Sequence, residues 1–419
     1  MERRQMERRQ RTVGSTRNSE LPIMFHCELQ KLSGNDRLRA DWRGLLHRVR
    51  PELRLFGPEW YSIWDDTIGS HAPWTGDMQV AVVYDESNQL CGVMPIGHPK
   101  VGLLRVNAIG GYFQPWRLVL AQQSHEFAIG RALGWFLVEI GWSVLQLGPW
   151  PMSHEAHRGV LSALNELEMP IQRQSSDQLA VAELPATWEQ CQAETIGRKF
   201  RQKVGTFEKR LAREHHVEVR HLRHPSVAET TELVDALAQI EQRSWLTDDP
   251  RGRPRFGGPV EQRFWSELIQ DWLVPQGFFD SWVMLADNEP ISFVVAATVG
   301  STRYVLANQY DEAWSDYRVG SQLYRRMFEE GYSRGVTRYD FGTNELHYKS
   351  RWGATSTDRV DSFTVSVNHM VSGFWNTGLK IKSLLDGGLW GRPTTREQLA
   401  SGEPGLDSVL SQEQEMVRT

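Results

Sequence analysis

Three cysteines in 419 residues, Cys27, Cys91 and Cys191, stand far apart and in no metal-ligand spacing. That leaves no disulfide framework and no zinc site to propose, and it fits a reducing, cytoplasmic setting. Long apolar runs are missing as well. A membrane-spanning helix needs about 18 uninterrupted apolar residues, whereas the stretch from Phe127 to Leu147 is broken by Gly130, Arg131, Gly134, Glu139 and Gly141. No membrane insertion is expected. Nor does one sign of charge dominate, since the formal net charge is -5 at pH 7 and the pI is near 6.3. DNA is therefore not expected as a partner, and any polyanion would need a local basic patch. The first 22 residues are a charged near-duplication, MERRQMERRQ, with no apolar h-region behind it. They read as a disordered basic tail rather than a signal peptide.

What is present is the composition of a folded protein, with 40% hydrophobic and 24% charged residues. The length suits two domains, or two halves that share one sheet. Tryptophan is abundant, at 17 residues, and these side chains either fill gaps between sheet and helices or line a groove.

Periodicity orders the chain. Leu38, Trp42, Leu45 and Leu46 share a helical face, Pro51 ends that helix, and a second short helix spans Pro58 to Thr67. From Gln79 the pattern turns to short β runs, QVAVVYD, QLCGVMPIG, LRVNAIGG and RLVLAQQ. A helix over Ser124 to Ile140, a strand WSVLQLGP, a helix over Ser153 to Glu166 and an alternating run QLAVAEL complete the first half, 23–185. The second half, 186–372, opens with a basic amphipathic helix, Thr195 to Glu214, followed by helices at Val227 to Trp245 and Phe264 to Leu273. Between the last two lies a loop rich in Pro, Gly and Arg, of the kind that often carries function. Strands SWVMLAD, ISFVVAATVG and RYVLANQYD then lead to a helix from Gly320 to Arg334, a strand VTRYDFG and a last β run DSFTVSVN. A basic helix, Gly378 to Leu385, and a polar tail make up 373–419. Hairpin, strand, helix and strand follow one another twice, so the fold is read as duplicated without duplication of sequence.

The stretch from Arg303 to Trp352 carries the chemistry. Arg318, Val319, Gly320 and Ser321 form a glycine turn between a strand and a helix, where free N–H groups and the helix dipole favour a phosphate. An ordinary capped turn is the competing reading. The corresponding entrance in the first half, Gln122-Gln123-Ser124-His125-Glu126, has no glycine or arginine, and an anion there would meet Glu126. One site, in the second half, is expected.

The order of elements looks like the GNAT acyltransferase fold, an α+β fold with a mixed sheet, here in two tandem halves. The chain also resembles the cellulose-biosynthesis-associated (CelD-like) acetyltransferases, relatives of the Fem-type peptidoglycan aminoacyltransferases. The resemblance is carried by Pro58-Glu59-Trp60, Val93-Met94-Pro95, Gly110-Gly111, Arg198-Lys199 with Arg201, Glu241 with Ser244-Trp245, Tyr310-Asp311, Asp340-Phe341, Tyr348-Lys349 and Trp352. Where relatives have Pro-Gly this chain has Val319-Gly320, and a Gly-Asp-Glu-like trio is replaced by Asn344-Glu345-Leu346.

The resemblance implies acyl transfer from acetyl-CoA or another acyl-CoA to an amine or hydroxyl, with no metal. It makes Tyr348 the general acid for the leaving thiolate, against the alternative of an aromatic that packs. Asp311 becomes the base, with Glu312 and His347 behind it, and Trp245 and Lys349 become substrate contacts, Lys349 pairing with a phosphate or carboxylate against the alternative of a solvated lysine. It further implies a small-molecule acceptor such as a sugar or nucleotide sugar, and polysaccharide-biosynthesis proteins as partners. Two alternatives stay open: a Fem-like transferase using aminoacyl-tRNA, served by the basic helix from Arg198 to Arg213, and a non-catalytic scaffold.

Overall fold

Alternation along the buried strands decides the architecture. In Gln79–Tyr84, Val80, Val82 and Tyr84 join one core while Ala81 and Val83 join another. A strand buried on both sides must have helices on both sides. The computed structural model describes residues 25–70, 78–98, 100–101, 104–109, 118–247, 254–343, 346–373 and 375. The expected N-terminal tail, Gly110-Gly111, most of the loop before Pro254, Asn344-Glu345 and the helix from Gly378 lie outside the described residues.

The strands are β1 (His26–Lys31), β2 (Gln79–Tyr84), β3 (Leu90–Gly97), β4 (Lys100–Val101), β5 (Leu104–Ile109), β6 (Leu120–Ala121), β7 (Val144–Pro151), β8 (Ile171–Glu183), β9 (Val217–Leu222), β10 (Phe279–Ala286), β11 (Glu289–Val299), β12 (Thr302–Tyr310), β13 (Arg338–Asp340) and β14 (Thr355–Ser366). Among the described residues they form one mixed sheet in the order β1-β2-β3-β5-β7-β14-β8-β13-β12-β11-β10-β9, with β4 on β5 and β6 on β3. The helices are α1 (Asp36–Leu46), α2 (Pro58–Trp64), α3 (Glu126–Glu139), α4 (Glu155–Glu166), α5 (Trp188–Gln190), α6 (Arg198–Glu214), α7 (Val227–Gln242), α8 (Pro259–Leu268), α9 (Val319–Ser333) and α10 (Leu346–Ser350).

Each half contributes a parallel pair joined by a helix, β5 with β7 through α3 and β12 with β13 through α9. The halves then exchange their last strands. The end of β8 pairs antiparallel with β13, β14 pairs antiparallel with β7, and β8 and β14 pair with each other in the middle. One face of this sheet carries α1, α2, α7 and α8 over a core common to both halves, with Trp42, Trp60, Trp64, Trp265 and Trp272 fully buried. The opposite face carries two separate cores, α3 and α4 on the first half and α6 and α9 on the second. For those five tryptophans the packing role is the one realised.

Besides the two-residue β4, β1 and β9 lie outside the β runs read from the sequence. Both are sheet edges, and their half-exposed alternation, as in Val217-Glu218-Val219-Arg220, offers too little apolar signal. β8 and β14 run far into polar sequence, Gln172 to Gln178 and Thr355 to Arg359, because each is the other's hydrogen-bonding partner along these runs. α8 starts five residues ahead of its expected Phe264, with Pro259 in the first turn where the missing N–H is harmless.

The seam on the shared face is closed by Trp272, whose indole Nε1 donates to Leu55 O at 2.8 Å, and by Tyr304, whose hydroxyl donates to Glu52 O at 2.7 Å. A Cβ at Gly57 would overlap the Trp272 ring. Gly57→Ala is therefore expected to destabilise the protein by about 1–3 kcal/mol through overpacking. Trp272→Phe in the same chain should recover part of that loss. Thermal unfolding of the two single variants and the double variant measures the coupling, and strictly additive effects would refute the contact.

Candidate functional site

The site forms where β12 and β13 part. These parallel strands are in register only from Thr302↔Arg338 to Tyr304↔Asp340. Immediately beyond, the β11–β12 register shifts between Val295 and Ala296, so that Leu306 is an extra residue in β12. A bulge bends and twists its strand, and β12 runs on to Tyr310 away from a partner that has ended. The result is a gap at the carboxyl ends of two parallel strands, the usual place for a ligand in such sheets.

Above the gap lies the N-terminus of α9. Asp311 accepts from Ala313 N–H at 3.0 Å and caps a short 3-10 helix, Glu312–Tyr317, that delivers the chain to Arg318. Arg318 adopts φ 55, ψ 39, a left-handed conformation that costs a non-glycine residue about 1–2 kcal/mol. Ser321 and Gln322 close the first turn on the Arg318 carbonyl at 3.0 and 3.2 Å. Val319 and Gly320 precede them, with no helical carbonyl to reach. Val319 is buried, while the Arg318 side chain is exposed and makes no ion pair among the described residues. Among the described residues nothing fills the space at Gly320, where a Cβ would meet only the Tyr310 ring at 3.6 Å. The glycine is thus not demanded by packing.

One helical turn on, buried Tyr324 faces Tyr348 of α10 edge to face, their ring centroids 6.2 Å apart. Burial, with Tyr348 adding to it, pushes the Tyr324 hydroxyl well above its ordinary value, so it remains a neutral phenol. Tyr348 is itself 37% exposed. Lys349 is buried, donates to Thr343 O at 2.7 Å and lies 5.9 Å from the Tyr348 ring centre. It therefore ties the strand end to α10, and the solvated alternative is not realised.

Other expected residues gather at the C-terminus of α7. The second oxygen of Asp311 pairs with Arg243 Nε at 3.0 Å, and Glu312 N–H donates to Arg243 O at 3.1 Å. Both Asp311 oxygens are thus occupied by a cap and an ion pair. Trp245, two residues past Arg243, is 44% exposed. Glu241, from the same helix, is buried and receives the N–H groups of Arg255 and Phe256 at 2.7 to 3.0 Å. It anchors the chain after the loop and holds Arg255 within electrostatic reach of Tyr348. The His347 side chain lies outside the described residues.

Asp340 belongs to one of the motifs that carry the resemblance. It is buried at the end of β13, its Oδ1 accepts from Gly342 N–H at 2.8 Å, and burial pushes its carboxyl up to about 6 against the pull of that bond and of Arg338 and Lys349. The signal in the sequence was a charged residue at a core position of a strand, between Tyr339 and Phe341.

In the first half the equivalent place is filled. Glu126 lies in the first turn of α3 and is held by Arg50 through two bonds of 2.7 and 2.6 Å. A side-chain carboxylate sits where α9 is open. Elsewhere, His221, Asp280 and Glu330 come close enough together to suggest a cation. Arg303 and Arg334 occupy that cluster, at 2.7 Å from Glu330 and Asp280 respectively. Although burial works against it, the Asp280 carboxyl is held below its ordinary value by His221, Arg303, Thr298 and Arg334. This network fastens the far end of α9 to β10 and β12.

Residues 198–350, from the start of α6 to the end of α10, match the family described as Acetyltransferase (GNAT) domain. The second half is a GNAT-type acyltransferase domain. No curated protein matches the chain. Among solved structures, FemX is similar over 80% of this chain and 98% of its own, at 12% identity and a TM-score of 0.54. A tandem GNAT protein from the clavulanic acid biosynthesis pathway covers 82% of this chain and 99% of its own, at 8% identity and TM-score 0.45. For L-PGS from Bacillus licheniformis the figures are 78%, 97%, 11% and 0.44. The first half repeats the same order, a parallel strand pair joined by a helix, within the one mixed sheet.

The raised Asp340 carboxyl has a consequence for stability. Below 3.8, its ordinary value, the group is protonated in both states and costs nothing. Between 3.8 and about 6 the unfolded chain loses its proton while the folded protein keeps it, so stability falls as pH rises. Above about 6 the full penalty stands, at most about 3 kcal/mol for two pH units. Asp340→Asn keeps an acceptor for Gly342 N–H and should raise the melting temperature at pH 8 but much less at pH 4.5. An equal shift at both pH values would contradict this.

Proposed function

We propose that this chain is an acyl-CoA-dependent N- or O-acyltransferase, using acetyl-CoA or another acyl-CoA and acting on a sugar, nucleotide sugar or related polar metabolite. A place in exopolysaccharide or cellulose production is part of the same reading. The observation that carries it is the open N-terminus of α9, where strained Arg318 and unfilled Gly320 face the gap between β12 and β13. Phosphate oxygens would meet the first-turn amides, Ser321 and the free guanidinium of Arg318. The thioester would then lie in the gap, within reach of Tyr348, whose hydroxyl supplies the proton that the departing thiolate needs. Lys349 holds the segment that carries Tyr348, and Trp245 offers an exposed ring to the acceptor. The first half, its corresponding entrance closed by Glu126 and Arg50, shapes the acceptor side.

The basic residues of α6 favour a second reading, transfer from aminoacyl-tRNA, because Arg198, Lys199 and Lys203 are exposed. Activity that survives ribonuclease would rule it out.

Backbone strain at a ligand site trades stability for function. Arg318→Gly relieves the left-handed residue and should leave the melting temperature unchanged or slightly higher. It should also weaken acetyl-CoA binding about 10-fold by removing a charge-assisted contact. Gly320→Trp fills the entrance and should abolish binding in a folded protein. Titration calorimetry with acetyl-CoA tests both. If wild type binds no acetyl-CoA, or Gly320→Trp binds it as well as wild type does, the reading is lost.

A further inference from the structure

We propose that the Asp340 carboxylate is the proton acceptor of the transfer reaction, taking the N–H or O–H proton of the acceptor on the face of the sheet opposite to α9. The inference rests on the acyl-transfer reading above and adds to it a base and a direction of attack.

Strand geometry places the group. Successive residues of β13 point to opposite faces, and Tyr339 and Phe341 pack in the core under α9 with Tyr324 and Phe328. Asp340 therefore faces the other side, that of α7 and α8, beside Tyr304 of β12, its partner in register. It is the last residue at which β12 and β13 are paired, so it borders the gap. Tyr348 meets Tyr324 on the α9 side. A thioester lying between the strands would have a phenol on one face and a carboxylate on the other. Addition to a carbonyl and departure of its leaving group are served by a base and an acid that do not share a position.

The surroundings suit a carboxylate that gains and loses a proton. Arg338, on the same strand, is engaged by Glu183 of β8 at 2.6 Å. Lys349, on α10, donates to Thr343 O, and Tyr304 donates to Glu52 O. Among the described residues no cation comes within ion-pair distance of Asp340, and only its Oδ1 receives a hydrogen bond, from Gly342. Capping that turn would be served equally by asparagine, which bears no burial penalty for charge. The aspartate is retained at a cost in stability that the turn does not explain.

In the step, the acceptor's N–H or O–H proton passes to Asp340 Oδ2 as its lone pair forms the C–N or C–O bond to the thioester carbonyl carbon. The C–S bond breaks, and the thiolate takes the Tyr348 hydroxyl proton to become free thiol. Asp340 then returns its proton through solvent to the Tyr348 phenolate, so both groups are restored.

Two measurements test this. Carbon-13 NMR of protein labelled at aspartate carboxyls should show one resonance titrating near pH 6 that is missing from Asp340→Asn. Thiol release from acetyl-CoA should then be followed across pH with glucosamine and a panel of other amino and hydroxy compounds, water included. Asp340→Asn should lower kcat at least about 100-fold, leave KM for acetyl-CoA within about twofold, and erase the fall of kcat/KM on the acid side. Asp340→Glu should recover part of the rate and the acid limb. Asp340→Asn with wild-type kcat and an unchanged acid limb would overturn the assignment and leave acyl transfer standing, as would the absence of any aspartate titrating above pH 5. Wild type that neither binds acetyl-CoA nor releases thiol would overturn acyl transfer itself, and the role of Asp340 with it.

Discussion

The exchange of β8 and β14 is the constraint on which the rest of the molecule depends. β13 is three residues long, too short to hold its place by one ladder. It is fixed because β12 pairs with it on one side and β8, arriving from the first half, on the other. Without that strand the end of β13, and Asp340 with it, would have no defined position. The reverse dependence holds for β7, which β14 covers. Neither half can complete its own sheet, so the two are parts of one folding unit even though each repeats the same order of elements. The shared core over α1, α2, α7 and α8 expresses the same fact on the sheet's face, where indole and phenol groups of the second half donate to backbone carbonyls of the first.

Duplication followed by division of labour explains the contrast between the two helix entrances. A helix N-terminus at the mouth of a parallel strand pair is electrostatically suited to an anion wherever it occurs. In α3 the protein supplies that anion itself as Glu126 and neutralises it with Arg50, whose charge is correspondingly reinforced. In α9 the first turn holds no acidic residue, the residue before it is a strained arginine and the second position is glycine. The stable solution and the open solution are thus both present in one chain. The difference between them is a single carboxylate and the space that a side chain would take.

Much of this was legible in the sequence, for reasons that particular residues make clear. α9 declared itself through the spacing of Leu323, Tyr324, Met327 and Phe328, and the glycine at its entrance marked where the helix starts. The asymmetry between Gly320 and Glu126 could be read in the same way, since helix starts are local features. The exchange could not be read, because Gln172 to Gln178 and Thr355 to Arg359 are polar runs whose strand character comes entirely from partners far along the chain. Asp311 stands at the end of β12, where the resemblance places the base. Whether a carboxylate is free or serves as a cap depends on Ala313 N–H and Arg243, which sequence does not bring together. Asp340 was visible as a motif and silent about its environment, which is made by β8 and β12 from two different parts of the chain.

A buried charge shows where a fold accepts a loss for the sake of chemistry, and the second half contains two that contrast. Asp280 is surrounded by Arg303, Arg334, His221 and Thr298, so its charge is compensated and its carboxyl is held low. It cannot take up a proton near neutrality without dismantling the network that fastens α9. Asp340 lies on a neighbouring stretch of the same sheet, with one amide donor and no ion pair among the described residues, and its carboxyl is driven up toward neutral pH. The protein thus separates two environments: one aspartate is compensated and fastens α9, and another stands uncompensated on the opposite face of the sheet; on the proposed reading the first steadies the helix at the donor's phosphate end and the second takes the proton that a nucleophile must give up.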